Sequence, residues 1–204
     1  MTKHWPVVLK HGDVTLRPLR MRDGRVWQKL RLENQDWLAE WEATAPLPSM
    51  DPPPTFQQST RLLLKDARRG SAMPFVIEYR GRFVGQINVS DIVYGSLRAC
   101  HFGYWIDKKF ANRGIMTTAA ALVTDHLLFN VNLHRVEVAI RPENVPSNRL
   151  ISKLGFTCEG VRPAFLHINH AWRDHNIYVM RREDLLTPLS RSIPDVSQFS
   201  QRHD

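Results

Sequence analysis

Strand and helix periodicities succeed one another in an order that predicts an α/β fold: a mixed, mostly antiparallel central sheet of about seven strands flanked by helices. Three features carry this reading. Residues 73–94 form two strand-like runs broken only by Arg80-Gly81, as in a β-hairpin. Residues 116–130 repeat Met116, Ala119, Ala120, Val123 and Leu127 at helical intervals. Two further strand-like runs follow Gly155.

Taken in order, residues 13–19 alternate Val14 and Leu16 with polar positions, as in a half-buried strand. Residues 22–33 and 36–43 carry Val26, Trp27, Leu30 and then Trp37, Leu38, Trp41 at helical spacing. Prolines between Pro46 and Pro54 exclude regular structure there and suggest an exposed connection beside a groove. Residues 55–69 return to helix, with Gly70 as the stop. After the hairpin a third strand spans 98–106, completing an antiparallel meander. The helix at 116–130, a strand at 135–140, a helix from Asn144 to Leu154 closed by Gly155, and strands at 156–168 and 172–180 complete the order. One domain over residues 1–186 and a flexible tail over 187–204 are expected.

The 204 residues are 43% hydrophobic and 24% charged, as in an ordinary packed protein and not a disordered one. A net charge of +8 fits a polyanionic ligand or partner, although clusters such as Arg68-Arg69 read equally as solvated faces. Cys100 and Cys158 lie in apolar segments without metal-ligand spacing or a disulfide framework, so buried free thiols in a reducing compartment and no metal are expected. No stretch has the length of uncharged apolar residues needed to span a membrane, and the N-terminal residues lack a signal-peptide core; a cytoplasmic protein is expected.

Chemistry concentrates in residues 102–121, where a strand leads through a basic loop into a helix. Such a junction presents unpaired backbone N–H groups at the positive end of the helix dipole. Gly114 allows a phosphate to approach the backbone, Lys108, Lys109 and Arg113 add charge, and Thr117 and Thr118 add hydroxyls. A diphosphate fits this description. The chain has neither a G-x-x-x-x-G-K-[ST] loop nor a G-x-G-x-x-G turn after a strand, which disfavours nucleotide hydrolysis and dinucleotide redox chemistry.

Three stretches together, GYWIDKKFANRGIMTTAAALV, HRVEVAIRPENVPSNRLISKLGFTCEGV and HAWRDHNIYVM, resemble the GNAT superfamily of acetyl-CoA-dependent N-acetyltransferases. Within it they are similar to the ribosomal-protein-alanine acetyltransferase (RimJ-like) branch. The resemblance covers residues 13–180 and implies a GNAT-type sheet, splayed at the cofactor site. It implies that the pyrophosphate of acetyl-CoA rests on the amides of Arg113, Gly114, Ile115, Met116, Thr117 and Thr118. The pantetheine arm would pair with Trp105, Ile106, Asp107 and Lys108, where a bulge opens the sheet. Asn144 and Ser147 match the Asn-x-x-Ser pair that approaches the thiol in relatives; Asn144 reads equally as a helix cap. The family loop commonly has a glycine where Asn112 stands, and some relatives have a general-acid tyrosine where Ile151 stands.

Acetylation of an amine needs a proton acceptor, an oxyanion donor and no covalent acyl-enzyme. Glu137 matches a glutamate used as base by some relatives, although a Glu between Val136 and Val138 can equally face solvent. His101 and Tyr104 are alternatives on opposite faces of the neighbouring strand. Trp37, Trp41, Glu42 and Phe165 are candidates for the acceptor groove, with Glu40 or Glu42 attracting the ammonium; the aromatic residues read equally as core. The expected activity is acetylation of a primary amine, foremost the N-terminal α-amine of a ribosomal protein beginning with alanine. A small-molecule amine as acceptor, and a non-catalytic acetyl-CoA-binding module, stay open. Neither membrane association nor sequence-specific nucleic-acid binding is expected, and a homodimer stays open.

Overall fold

The computed structural model describes residues 4–46 and 55–196. Eight strands form one sheet: β1 Leu9–His11, β2 Val14–Pro18, β3 Met73–Tyr79, β4 Arg82–Val93, β5 Ala99–Ile106, β6 Arg135–Ile140, β7 Thr157–Ile168 and β8 Ala171–Arg181. Their spatial order is β1-β2-β3-β4-β5-β6-β8-β7. Every neighbouring pair is antiparallel except β5 and β6. The strand beyond the expected seven is β1, whose three residues are too few to show alternation; it pairs with β2 across Gly12 at φ +52°. The Arg80-Gly81 turn has positive φ at both residues, 50° and 75°, as a two-residue hairpin with right-handed twist requires.

The helices are α1 Gly24–Glu33, α2 Gln35–Ala39, α3 Phe56–Arg69, α4 Ile115–Asp125 and α5 Val145–Lys153. Helix α3 is closed at both ends by side-chain and backbone chemistry legible in its sequence. Thr55 Oγ1 accepts from Gln58 N at 3.3 Å, Gln58 Oε1 accepts from Thr55 N at 2.7 Å, and Gly70 ends the helix at φ +81°. Helix α2 stops at Ala39, shorter than the helix expected to Ala43, because Ala43 is drawn into a bridge with Ile168 on β7. Helix α4 passes into a π-helical turn, His126–Asn130. The expected proline-rich connection lies largely in residues 47–54, outside the described residues.

Burial places the two helical layers on opposite faces of the sheet. On one face α4 is apolar almost all round, with Ala119, Ala120, Ala121 and Val123 fully buried against β-strand residues such as Phe75, Ile87 and Phe102. On the other, Leu19, Phe56 and Val76 form a smaller core with Trp27, Leu63 and Phe83. Residues 187–196, for which the sequence suggests a loose tail, lie against α4. The Asp125 carboxylate accepts the amides of Leu189 and Ser190 at 2.7 and 2.8 Å, and Val196 is buried. Cys100 is buried as expected, but Cys158 is exposed because β7 is an edge strand whose first eight residues all face solvent.

One topological feature positions the site. Parallel pairing of β5 and β6 covers only Ala99–His101 against Arg135–Glu137; beyond it both strands continue without each other. The sheet therefore opens along Phe102–Ile106. The bulge expected at residues 105–108 is not the cause: β5 keeps register with β4 through Ile106, and the β4–β5 irregularity lies at Ser90/Val93.

Candidate active site

A groove of about 1070 Å³ runs from the start of α4, across the open edge of β5, to α1, α2 and α3. At its basic end Asn112 and Gly114 adopt left-handed backbone, φ 58° and 76°, which asparagine tolerates and glycine adopts freely. Asn112 thus supplies a left-handed turn at the position where the resemblance implies a glycine. No side chain caps α4, and its first intrahelical bond is Thr118 N to Gly114 O at 2.9 Å. The amides of Ile115, Met116 and Thr117 precede it and have no partner within the helix, as at any helix start that can receive an anion. The Thr118 amide is used inside the helix, and its hydroxyl is buried with no partner among the described residues and does not line the groove.

Charge surrounds these amides. Lys108 and Arg113 line the groove, and so do Arg149 and Lys153, one turn apart on α5, which sequence reasoning missed. Their i,i+4 spacing was the available signal. Lys109 turns away to Glu33 at 3.8 Å. Asp107, expected along the cofactor, is only 4% exposed; its carboxylate accepts from Lys109 N at 3.1 Å and so shapes the loop. Ile115 contributes its amide alone, since its side chain is in the core.

Along the open edge the strand geometry selects the available peptide groups. Asp107 N donates to Val84 O at 2.8 Å, toward β4, so alternation turns the Trp105 peptide groups the same way and those of Tyr104 and Ile106 toward the opening. Trp37 Nε1 already donates to Ile106 O at 3.2 Å, tying α2 to this edge. The Ile106 N–H, not that of Trp105, is the amide this geometry leaves facing the opening.

Tyr104 projects into the groove opposite α5. Its hydroxyl is buried with no partner of full hydrogen-bond geometry among the described residues, while the Ser147 hydroxyl is near enough to favour its ionised form. Burial dominates and pushes the phenol up to about 12, so the group stays protonated. Asn144 acts as the cap of α5, its Oδ1 accepting from Ser147 N at 3.2 Å, and lines the groove beside Ser147. Asn148 anchors that helix: its Nδ2 donates to Arg141 O and Asn144 O, and its Oδ1 accepts from Asn176 and Tyr178.

Glu137 is not brought to the groove. It accepts from Arg135 Nε at 2.7 Å and Arg162 at 3.4 Å, inside an ion-pair network that also contains Glu159. His101 is likewise outside, 3.5 Å from Asp91. Phe165 packs edge-on against His175, with the Arg162 guanidinium above its ring, and does not line the groove. Trp37, Trp41, Glu40 and Glu42 do line it, with Asp36. Glu42 pairs with Arg31, whose guanidinium lies over both Trp27 and Trp105. Arg141, which sequence reasoning did not single out, is buried over Trp41 and donates to Glu40 O at 2.8 Å, fixing the α2 end of the groove.

An anion cradle at a helix start, a strand edge opened beside it and an acidic, aromatic chamber beyond define a protein that binds an elongated phosphate-bearing donor next to a second substrate. The Acetyltransferase (GNAT) domain family matches residues 13–157, and the chain belongs to that family. The [Ribosomal protein uS5]-alanine N-acetyltransferase of Escherichia coli (strain K12) is 29% identical over 154 residues, covering 74% of this chain and 79% of that one. The Probable N-acetyltransferase YjcK of Bacillus subtilis (strain 168) is 35% identical over 103 residues, and the chain spans 57% of its length. Among solved structures, Mycobacterium smegmatis RimJ in complex with CoA-disulfide superposes with a TM-score of 0.85 at 33% identity, over 99% of this chain and 98% of that one. Acetyl-CoA is the donor co-substrate of this enzyme class. Among the described residues no cluster of His, Cys, Asp and Glu could hold a metal ion, and no helix is long and apolar enough to cross a membrane.

Proposed function

We propose that this chain transfers the acetyl group of acetyl-CoA to the α-amine at the N-terminus of a protein, with a ribosomal protein beginning with alanine as first candidate. One observation carries the reading: a single groove joins the start of α4, at Gly114, Met116 and Thr117, to a chamber bearing Asp36, Glu40 and Glu42, on the opposite side of the open β5 edge. Donor and acceptor can therefore meet without either passing through the other's site. The relationship to enzymes that acetylate a ribosomal protein supports the choice of acceptor.

In this reading the chamber carboxylates attract the ammonium and take its proton, directly or through water. The neutral nitrogen attacks the thioester carbonyl, forming the C–N bond while the oxyanion is held by the Ile106 N–H, and the proton the attacking nitrogen then sheds passes to water. As the C–S bond breaks, the Tyr104 hydroxyl, positioned with Ser147, gives its proton to the thiolate and is reprotonated from solvent. No acyl-enzyme is involved: the Cys100 thiol is pushed up by burial and kept unreactive, and Cys158 is on an outer strand. Glu137 has no role at the reacting atoms.

The test is release of free coenzyme A from acetyl-CoA with alanine-initiated peptides and with small amines, followed by mass spectrometry of the peptide products. Acetylation confined to the peptide α-amine is expected. Turnover of small amines alone, or of no acceptor, overturns the proposal.

A further inference from the structure

The acceptor chamber contains a relay whose hydrogen-bond polarity is fixed at one end. Trp27 Nε1 is a donor only, so the Gln86 atom 2.9 Å from it must be the carbonyl Oε1. The Gln86 amide nitrogen is thereby turned to Asn88, and the Asn88 atom that receives it at 2.8 Å must be Oδ1. What Asn88 has left is its NH2 group, with no acceptor among the described residues. Gln86 is 4% exposed, so the relay is anchored in the fold, while Gln86 and Asn88 both line the groove. Directly across from Asn88, Gly103 of β5 leaves its space open: a Cβ there would meet nothing within 4 Å.

We propose that Asn88 is a specificity-determining residue, presenting a fixed donor to the carbonyl oxygen next to the acceptor's amine, with the acceptor backbone lying over Gly103. This rests on the reading of the chamber as the site of a peptide N-terminus. A carboxylate at position 88 would repel that carbonyl; the amide of Asn88, locked by Gln86, cannot turn to present its own oxygen without breaking the relay. An α-aminoacyl group satisfies the donor, whereas an alkylamine or polyamine leaves it unpaired. A site built around a hydrogen bond discriminates strongly against a partner lacking it.

The test compares two substrates: an alanine-initiated peptide amide and its analogue with an alkene in place of the first amide. For the wild-type protein kcat/KM for the peptide should exceed that for the analogue by about 5- to 150-fold, the range for one unmade hydrogen bond. In Asn88→Ala and Asn88→Asp this ratio should fall to about threefold or less, mainly through KM for the peptide, with the Kd for acetyl-CoA within about twofold of wild type. Gly103→Val, which leaves the relay intact, should weaken the peptide and its analogue together. If the variants acetylate the peptide with the wild-type ratio, the role of Asn88 is overturned while acetylation of N-termini stands. If the wild-type protein acetylates simple amines and no peptide, the proposal falls together with the reading on which it rests.

Discussion

The buried hydroxyl of Tyr104 faces the Ser147 side chain across the opening between β5 and α5, without completing a hydrogen bond to it. A buried polar group with no partner costs stability, so its retention at the reacting end of the groove points to work in catalysis. Tyr104→Phe should lower kcat by about 100-fold or more, as for loss of a general acid. Melting temperature should be unchanged or raised, since an unpaired hydroxyl is removed. Because burial holds the phenol near 12, the wild-type rate should show no alkaline limb from this group below pH 10. A variant with full turnover would remove Tyr104 from the mechanism.

Gly114 opens α4 at φ +76°, a conformation that strains most residues with a Cβ and β-branched ones above all. Gly114→Val should weaken acetyl-CoA by about tenfold or more, equivalent to about 1.4 kcal/mol, measured by calorimetric titration. Asn112→Gly should leave affinity within about twofold, since glycine adopts the same left-handed backbone.

Glu137 is tied to Arg135 and Arg162 away from the groove. Glu137→Gln should therefore leave turnover and its pH profile unchanged. The partly exposed network predicts a loss of only about 0.5–1 kcal/mol of stability, read from denaturant unfolding. A tenfold drop in turnover would restore Glu137 as a candidate base.

His126 and His175 are both buried, and burial lowers the pKa of each below 6.5. The unfolded chain then binds more protons than the folded one as pH drops through 6.5, so stability falls on acidification from that point. His126 Nε2 donates to His4 O at 3.3 Å, a bond that glutamine can replace. His126→Gln should flatten the dependence of melting temperature on pH between about 7.5 and 5. An unchanged slope would show that His126 is not the source.

The Asp125 carboxylate is buried and holds two backbone amides of the C-terminal segment. Asp125→Ala should cost about 1–3 kcal/mol by leaving those amides unpaired, and should expose residues 187–196 to limited proteolysis. Resistance equal to wild type would show that apolar packing alone retains the segment.

Features that depend on near neighbours were legible in the amino-acid order. Thr55 and Gln58 announce the start of α3, Gly70 its end, Arg80-Gly81 the hairpin, and Asn112 to Gly114 the turn into the anion site, because each acts through contacts a few residues apart. Alternation also established that His101 and Tyr104 face opposite sides of β5. Which side is the groove was decided by the fold: the pairing of β5 with β6 ends at His101 and Glu137, a contact between segments far apart in the chain. That ending places Tyr104 in the opening and leaves Glu137 in a network with Arg135 and Arg162, a choice no local period encodes. Arg149, Lys153 and Asn88 acquire their places only when α5 and β4 converge on one groove, and Arg141 its place when the segment after β6 meets the end of α2. Local backbone preferences act over one or two turns, whereas the direction in which a side chain finds a partner is set by packing across the whole sheet.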